Sequence, residues 1–379
     1  MPKFSGISST SFASKKIRRW DVIQNVMDGV PIRICSYNVL CQQNALKSPK
    51  LYAHLIKSKR ANELMWENRW ELLKREFSMI DADIFCLQEV QFDHYDQFFE
   101  PFFKTEGYLG KYKKRTREMV DGCAVFYKNY IQLLHYHYIE YYFGVNSVLD
   151  RDNVGQLFRL KDMRTQRDLC IFNTHLLFNK WRGDVKLAQV AISLANIDKE
   201  CGPESGKECP YILCGDFNIE PHSPLYNFIM KGGISFANLR QGDVSGQGST
   251  GGPFVSVNLL PEDIKIARNC RFKDLHSRTM KFPPENCWSH PLNFDSVYQQ
   301  ADKGMKQTVS TYHSVEWANP DFIFYSVGSK SLKHASANGL KLIRRLSLPH
   351  INQLVGTLGP WPNSVTPSDH IPLIADFIL

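Results

Sequence analysis

The chain has no uninterrupted apolar stretch long enough to cross a bilayer and no apolar signal region near its start, which argues against a membrane-spanning or secreted protein. It also lacks any Gly/Ser-rich or Pro-rich linker between its apolar segments, and it shows no repeat of fixed period. The two or three domains that 379 residues would allow therefore give way to one large domain. The ten cysteines lack the spacing of a zinc ribbon or a disulfide framework. Cys35, Cys86, Cys170 and Cys214 sit inside apolar runs as small buried hydrophobes, and Cys201, Cys209, Cys270 and Cys287, in loop-like stretches, read as free thiols. That usage suggests a reducing, intracellular compartment, cytoplasm or nucleus. The first twenty residues contain no acid, several serines, and Lys3, Lys15, Lys16, Arg18 and Arg19. This is the composition of a mitochondrial transit segment, but amphipathic periodicity is poor there. Residues 1–30 are expected to be a flexible basic leader, followed by one domain over 31–379.

A hydrophobic content of 43% with 12% aromatics is enough for a large core. The formal charge of +8 favours an anionic partner, nucleic acid first. Its densest source is "KYKKRTR", Lys111 to Arg117, which could place Arg115 and Arg117 on phosphates or could equally be a solvated loop. Seven short β-branched or aromatic runs read as buried strands: "IRICSYN", "DIFCLQE", "CAVFYK", "LCIFNTH", "YILCGDFN", "DFIFYS" and "IPLIADF". Trp66, Trp70, Leu73, Phe77 and Ile80 share one helical face, and another runs from Val185 to Ile197. Strands alternating with helices make an α/β protein. Residues 241–311, opening with "SGQGSTGGPF", have weak periodicity and read as a loop-rich insertion.

The strands end in polar residues that packing does not need. Asn38, Glu89, His175, and the pair Asp216 and Asn218 stand at the ends of four strands, while Asp321, Asp369 and His370 stand at the starts of two others. If those two strands run antiparallel to the first four, all of these groups reach one edge. Taken singly, each has a bland explanation as a turn or cap residue; taken together they read as a site. Four carboxylates with no cysteine among them are hard oxygen donors suited to Mg²⁺ or Mn²⁺. The two amides can donate to phosphoryl oxygens or hold water, His370 can donate if Asp321 accepts its other proton, and Asp216 is the candidate base. The reaction this suits is phosphoester hydrolysis.

The series "SYNVL", "CLQEV", "NTHLL", "CGDFN", "PDFIFYS" and "PSDHIPL" resembles the endonuclease/exonuclease/phosphatase superfamily. Its DNase-I-like fold is a two-layer β-sandwich flanked by helices. Within it, "DGCAVFYK", "LDRDNVG", "RGDVKLAQ" and "GDFNIEPHSPLY" are most similar to the Angel proteins, relatives of the poly(A) deadenylases and nocturnin. The resemblance implies metal ligation by Glu89, helped by Asn38 and Asp369, and places Asp216 and Asn218 at the nucleophile and phosphate. It implies a polarising pair in Asp321 and His370, with His175 completing the site. Lys180, Arg115, Arg117 and Asn173 are further expected substrate contacts. It further implies a monomeric enzyme acting on single-stranded RNA 3′ ends. The expected activity is removal of a terminal 2′,3′-cyclic phosphate, with 3′-5′ exoribonuclease action on poly(A) as the alternative.

Two departures separate these activities. Deadenylases of this group carry a Trp-Asp-Pro stretch just after the motif His and a Phe five residues before the "DxIFYS" Asp, both around adenine. This chain has Phe178, Asn179 and Lys180 at the first place, where Angel relatives tend to end in Pro, and Glu316 at the second. Loss of a stacking platform, worth ~1–3 kcal/mol per base, disfavours strict poly(A) specificity. Trp181 and Tyr312 are the aromatics nearby. A non-catalytic RNA-binding scaffold would be expected to have lost Glu89, Asp216 or His370, and all three are present.

Overall fold

The computed structural model describes residues 17–25, 28–145, 147–202, 205–248, 252–273, 283–298, 307–328 and 339–379. Most of the expected leader, with Lys3, Lys15 and Lys16, and parts of the 241–311 stretch lie outside the described residues.

Thirteen strands form the two main sheets. In chain order they are β1 (Trp20–Val22), β2 (Pro31–Asn38), β3 (Ile84–Gln91), β4 (Tyr108–Lys114), β5 (Asp121–Lys128), β6 (Ile131–Glu140), β7 (Val154–Asp162), β8 (Arg167–His175), β9 (Tyr211–Asp216), β10 (Phe294–Ser296), β11 (Asp321–Ser326), β12 (Lys341–Leu346) and β13 (Leu373–Ile378). One sheet has the order β1-β12-β13-β2-β3-β5-β4, the other β10-β11-β9-β8-β7-β6. The pairs β2/β3 and β8/β9 are parallel, and β13 and β11 run antiparallel to β2 and β9. This is the polarity that the polar strand ends required.

The apolar runs lack polar alternation because each strand is covered on both faces. Ile34, Cys86, Ile171, Cys214, Ile323 and Leu373 meet between the sheets. Their immediate sequence neighbours face outward instead: Cys35 and Phe85 toward helix α1 (Trp66–Ile80), and Phe172, Leu213 and Phe324 toward α2 (Gly183–Cys201) and α3 (Pro224–Lys231). The α1 face buries Trp66, Trp70, Leu73, Phe77 and Ile80, as the spacing predicts. α2 is buried nearly all round, since Val244, Val255, Ile266 and Cys270 from the 241–272 segment cover its outer side. A Cβ on Gly183 would stand 2.5 Å from the Gln241 carbonyl oxygen, so the start of α2 tolerates no side chain there.

Two expectations change. Residues 17–25 belong to the fold: β1 pairs with β12, and the buried Arg18 guanidinium donates to the carbonyls of Leu346, Ser347 and Pro372 at 2.8–3.3 Å. The "KYKKRTR" run is no loop, because Lys111–Lys114 complete the edge strand β4. All ten cysteines are free, and nine are buried. No helix among the described residues is long and apolar enough to cross a membrane.

Arg69 on α1 is fully buried and donates to the carbonyls of Val39, Leu40 and Pro367 and to Gln42 Oε1. One cation thus holds the chain just after Asn38 and just before Asp369. Arg69→Met should leave three buried carbonyls without a donor, lowering stability by about 3–5 kcal/mol and disabling the pocket described below. A thermal or denaturant midpoint matching the parent protein's would contradict this.

Candidate active site

Gly215, the residue before Asp216, has φ +140°, and a Cβ there would lie 1.8 Å from the Thr174 carbonyl oxygen of β8. Only glycine lets β9 pass β8 so closely, and this sets His175 directly opposite Asp216 in the parallel register. Asp321, at the start of β11, pairs with Asp216 from the other side. In the facing sheet, the register of β3 against β5 slips between Leu87 and Val90, where Glu89 takes φ 56°. This bulge turns Glu89 out of the strand's alternation and toward Asn38.

Asn38 Nδ2 donates to Glu89 Oε1 at 3.0 Å and to Asp216 Oδ2 at 3.1 Å. Both amide hydrogens are thereby taken, which corrects the expectation that Asn38 offers one to a phosphoryl oxygen; its part here is to set two carboxylates from different sheets against each other. His175 Nε2 and His370 Nε2 lie 3.5 and 3.8 Å from the same Asp216 oxygen. His370 Nδ1 is 2.8 Å from Asp321 Oδ2, which also accepts from Ser310 Oγ at 2.6 Å. Tyr52 donates to Asp369 Oδ2 at 3.0 Å. Asn218 gives one amide hydrogen to the Leu176 carbonyl, leaving the other.

The capping explanations hold as well, on different atoms. Asp216 Oδ1 accepts from Asn218 N at 3.0 Å, and Asn38 Oδ1 accepts from Leu40 N at 3.1 Å. Each side chain closes a turn with one atom and faces the site with another.

Glu89, His175, Asp216, Asn218, Asp369 and His370 line one pocket of about 290 Å³, with Arg115, Tyr52, Phe178, His313 and Glu316. Asp321 stands behind His370. Three of the four expected substrate contacts lie elsewhere or are engaged. Asn173 is wholly buried, bonded to Gln88 and to the Leu87 and Ala124 carbonyls, so it ties the two sheets together beneath the site and cannot reach a substrate. Arg117 is exposed outside the pocket, bonded to Asp152 at 2.6 Å and Asp150 at 3.1 Å. Lys180 forms an ion pair with Glu316 at the rim. Arg115 does line the pocket, 3.3 Å from Asp121.

Sequence reading missed Tyr52, Ser310, Asp121 and Lys186. Asp121 and Lys186 lay inside quoted motifs. Lys186, buried, donates to the Asn218 carbonyl at 2.6 Å and to Gln247 Oε1 at 2.8 Å. Ser310 lies in a stretch without periodicity, and Tyr52 gave no signal.

Charge divides the site in two. Burial, then Asp121 and Asp369, push the Glu89 carboxyl up to about 6. Burial also raises Asp216, against the opposing pull of His175. For His370 burial favours the neutral ring, but Asp321, with Asp216 and Asp369 behind it, outweighs that and holds the imidazole protonated well above its ordinary range. His175 is lowered by burial and stays neutral.

The residues fit a divalent cation. Asp369 Oδ1 and Asp121 Oδ2 are buried without a hydrogen-bond partner on the Glu89 side, where Arg115 pairs with Asp121 but Glu89 and Asp369 have no ion-pair partner among the described residues. Ligand atoms of Asp216, Asp321 and His370 also lie within 4.8 Å of one another. The short His370–Asp321 hydrogen bond marks that trio as a polarised dyad next to a carboxylate, and the hard oxygen set around Glu89 suits a cation better.

A sequence model of the Endonuclease/Exonuclease/phosphatase family matches residues 35–370. The chain belongs to that family. Enzymes of the endonuclease/exonuclease/phosphatase family depend on a metal ion, in keeping with the carboxylate cluster. Protein angel homolog 2 of Homo sapiens is 36% identical over 380 residues, covering 91% of this chain and 69% of that protein, so within the family this chain is an Angel-type member. The crystal structure of ANGEL2, described as a 2′,3′-cyclic phosphatase, superposes with TM-score 0.83 at 36% identity over 95% of this chain and 97% of that one. A second structure of ANGEL2, in complex with adenosine-2′,3′-vanadate, matches with the same score and identity over 95% and 98%.

Protons compete with the cation for Glu89. In calorimetric titrations of metal-free protein with Mn²⁺, affinity should fall as pH drops through about 6, because the Glu89 carboxyl must then release a proton to bind. Glu89→Gln should weaken binding and flatten this dependence; equal affinity at pH 5 and 7 in the parent protein would refute the assignment.

Proposed function

We propose that this protein is a Mg²⁺-dependent phosphohydrolase of RNA 3′ ends that removes a terminal 2′,3′-cyclic phosphate and leaves free hydroxyls. The observation that carries the reading is the juxtaposition, in one small pocket, of a protonated His370–Asp321 dyad and a separate carboxylate cluster suited to a cation, with Asp216 between them. A protein of like fold at 36% identity holding a 2′,3′-vanadate ester of adenosine supports the substrate class.

Mg²⁺, held by Glu89 and Asp369, would neutralise non-bridging phosphoryl oxygens and ease departure of the ribose oxygen. The remaining work falls to the chain itself. His370 directs Nε2–H at a phosphoryl oxygen, its charge sustained by Asp321 on the other nitrogen. Asp216 orients the attacking water and accepts its proton, with Asn38 and His175 fixing that carboxylate. Asn218 offers its free amide hydrogen to the same phosphate. Two waters are consumed: the first opens the cyclic ester to a monophosphate, and the second releases inorganic phosphate. Arg115, on the pocket wall, is placed for the anionic end of the strand.

Poly(A) shortening is the lesser reading, because Glu316, ion-paired with Lys180, stands where the deadenylases carry the Phe of their adenine platform. Purified protein offered one RNA ending in 2′,3′-cyclic phosphate and one ending in poly(A) with a free hydroxyl should convert the first with Mg²⁺, lose that activity with chelator, and leave the second at full length. Asp216→Asn should lower kcat by about 10²–10⁴-fold. Shortening of the second RNA with no change in the first would overturn the proposal.

A further inference from the structure

Resting on that reading, we infer that His313 is a further substrate contact, donating through Nε2–H to an ester or ring oxygen of the terminal ribose. His313 lines the pocket with Thr311, Glu316 and Ala318, which share one face of a short hairpin where Thr311 pairs with Ala318. The hairpin is fastened to the site itself. Tyr312 N and Thr311 Oγ1 both donate to the Asp369 carbonyl, at 3.0 and 2.8 Å. The imidazole is therefore placed by the same backbone that carries Asp369 and His370.

The turn of this hairpin decides which ring nitrogen carries the proton. His313 N donates to the Glu316 carbonyl at 3.0 Å, and the backbone N–H groups of Val315 and Glu316 both donate to His313 Nδ1, at 3.3 Å each. A nitrogen that accepts two hydrogens cannot bear one of its own, so the proton of the neutral ring sits on Nε2. Burial keeps the ring neutral against the pull of Asp369 and Glu316, and His370 and Lys180 act in the same direction as burial. The side chain is only 6% exposed, yet Nε2 bonds to none of the described residues and is not sealed from solvent. A buried imidazole thus brings one unengaged N–H to the pocket wall.

Its neighbours identify the group it meets. His313 stands between Tyr312, bonded to the Asp369 backbone beside His370, and Glu316, ion-paired with Lys180 at the rim. In an RNA whose last phosphate sits at His370, the part that follows the phosphate outward is the terminal ribose. In a 2′,3′-cyclic phosphate both hydroxyls of that ribose are esterified, so the sugar presents acceptor oxygens and no hydrogen to donate. The carboxylates of Asp369 and Glu316 can make no hydrogen bond to it; an N–H can. A lysine at 313 would also donate, but its charge would compete with Mg²⁺ for Asp369. A neutral imidazole holds the sugar and leaves the cation its ligands.

The test titrates the full chain, with Mg²⁺, with two ligands that do not turn over: adenosine 2′,3′-vanadate, which carries the cyclic ester, and inorganic vanadate, which has no sugar. In His313→Asn the carboxamide oxygen takes over the acceptor place of Nδ1 in the turn, and nothing replaces the Nε2 donor. This variant should bind the adenosine ester about fivefold to tenfold more weakly and inorganic vanadate as the parent protein does. Unchanged affinity for the ester, or equal losses for both ligands, would overturn the ribose contact. Imidazole nitrogen NMR of the parent protein reads the same contact without a variant, should His313→Asn fail to fold. The His313 Nε2 resonance should move with the adenosine ester and stay with vanadate alone; a resonance that moves with neither, or equally with both, would overturn the contact. A selective loss in the variant, in a parent protein that hydrolyses no cyclic phosphate, would keep the contact and remove the proposed function alone. A parent protein that does not bind the ester would remove both.

Discussion

The carboxamide of Asn38 is the tie on which the site depends. It stands at the end of a strand in one sheet and hands its two hydrogens to Glu89 of the same sheet and Asp216 of the other. An uncharged donor is the only kind that can hold two buried carboxylates apart without cancelling either charge. A lysine in its place would neutralise what the cation is needed to neutralise, and an aspartate would add to the repulsion. The distance between the Glu89 and Asp216 carboxylates is thus set by one amide.

A second tie crosses the sheets a few ångströms away, from His370 of the first to Asp321 of the second, and a third lies beneath them where Gln88 meets Asn173. The three together make the end of the sandwich rigid in the direction that matters for chemistry, across the layers. The hydrophobic interior, which fixes the sheets' spacing but not their relative slide, could not supply this. Electrostatics then follow from placement. Protonated His370 faces one side of Asp216 and carboxylates crowd the other, so positive charge from the protein stands on one flank and the carboxylates that would hold a cation on the opposite one.

Much of this architecture was legible in the sequence because the strands are buried on both faces and stop abruptly in polar groups. A run such as "YILCGDFN" admits few other interpretations once Gly215 is seen to permit the close pass of two strands. Strands with one wet face were missed: β6, "IQLLHYHYIE", mixes histidine and tyrosine and offers no clean period, and β4 hides in a basic run. Among the polar residues, motif position did not reveal which atom faces what. Asn173, two residues before His175 and on the same face of β8, looks equally functional on paper, yet it lies deeper along the strand, wholly buried between the sheets. Tyr52 and Ser310 come from irregular segments whose paths only the folded chain defines.

Because β5 leaves the site at Asp121 and β8 arrives there at His175, the turns at 129–130 and 163–166 lie a full strand length away, at the opposite end of the sandwich. Nothing in the pocket touches them. They are held by contacts of their own, Tyr130 donating to Asp83 and Arg164 to Asp162, so that end of the sandwich is fastened without any group the reactive end uses.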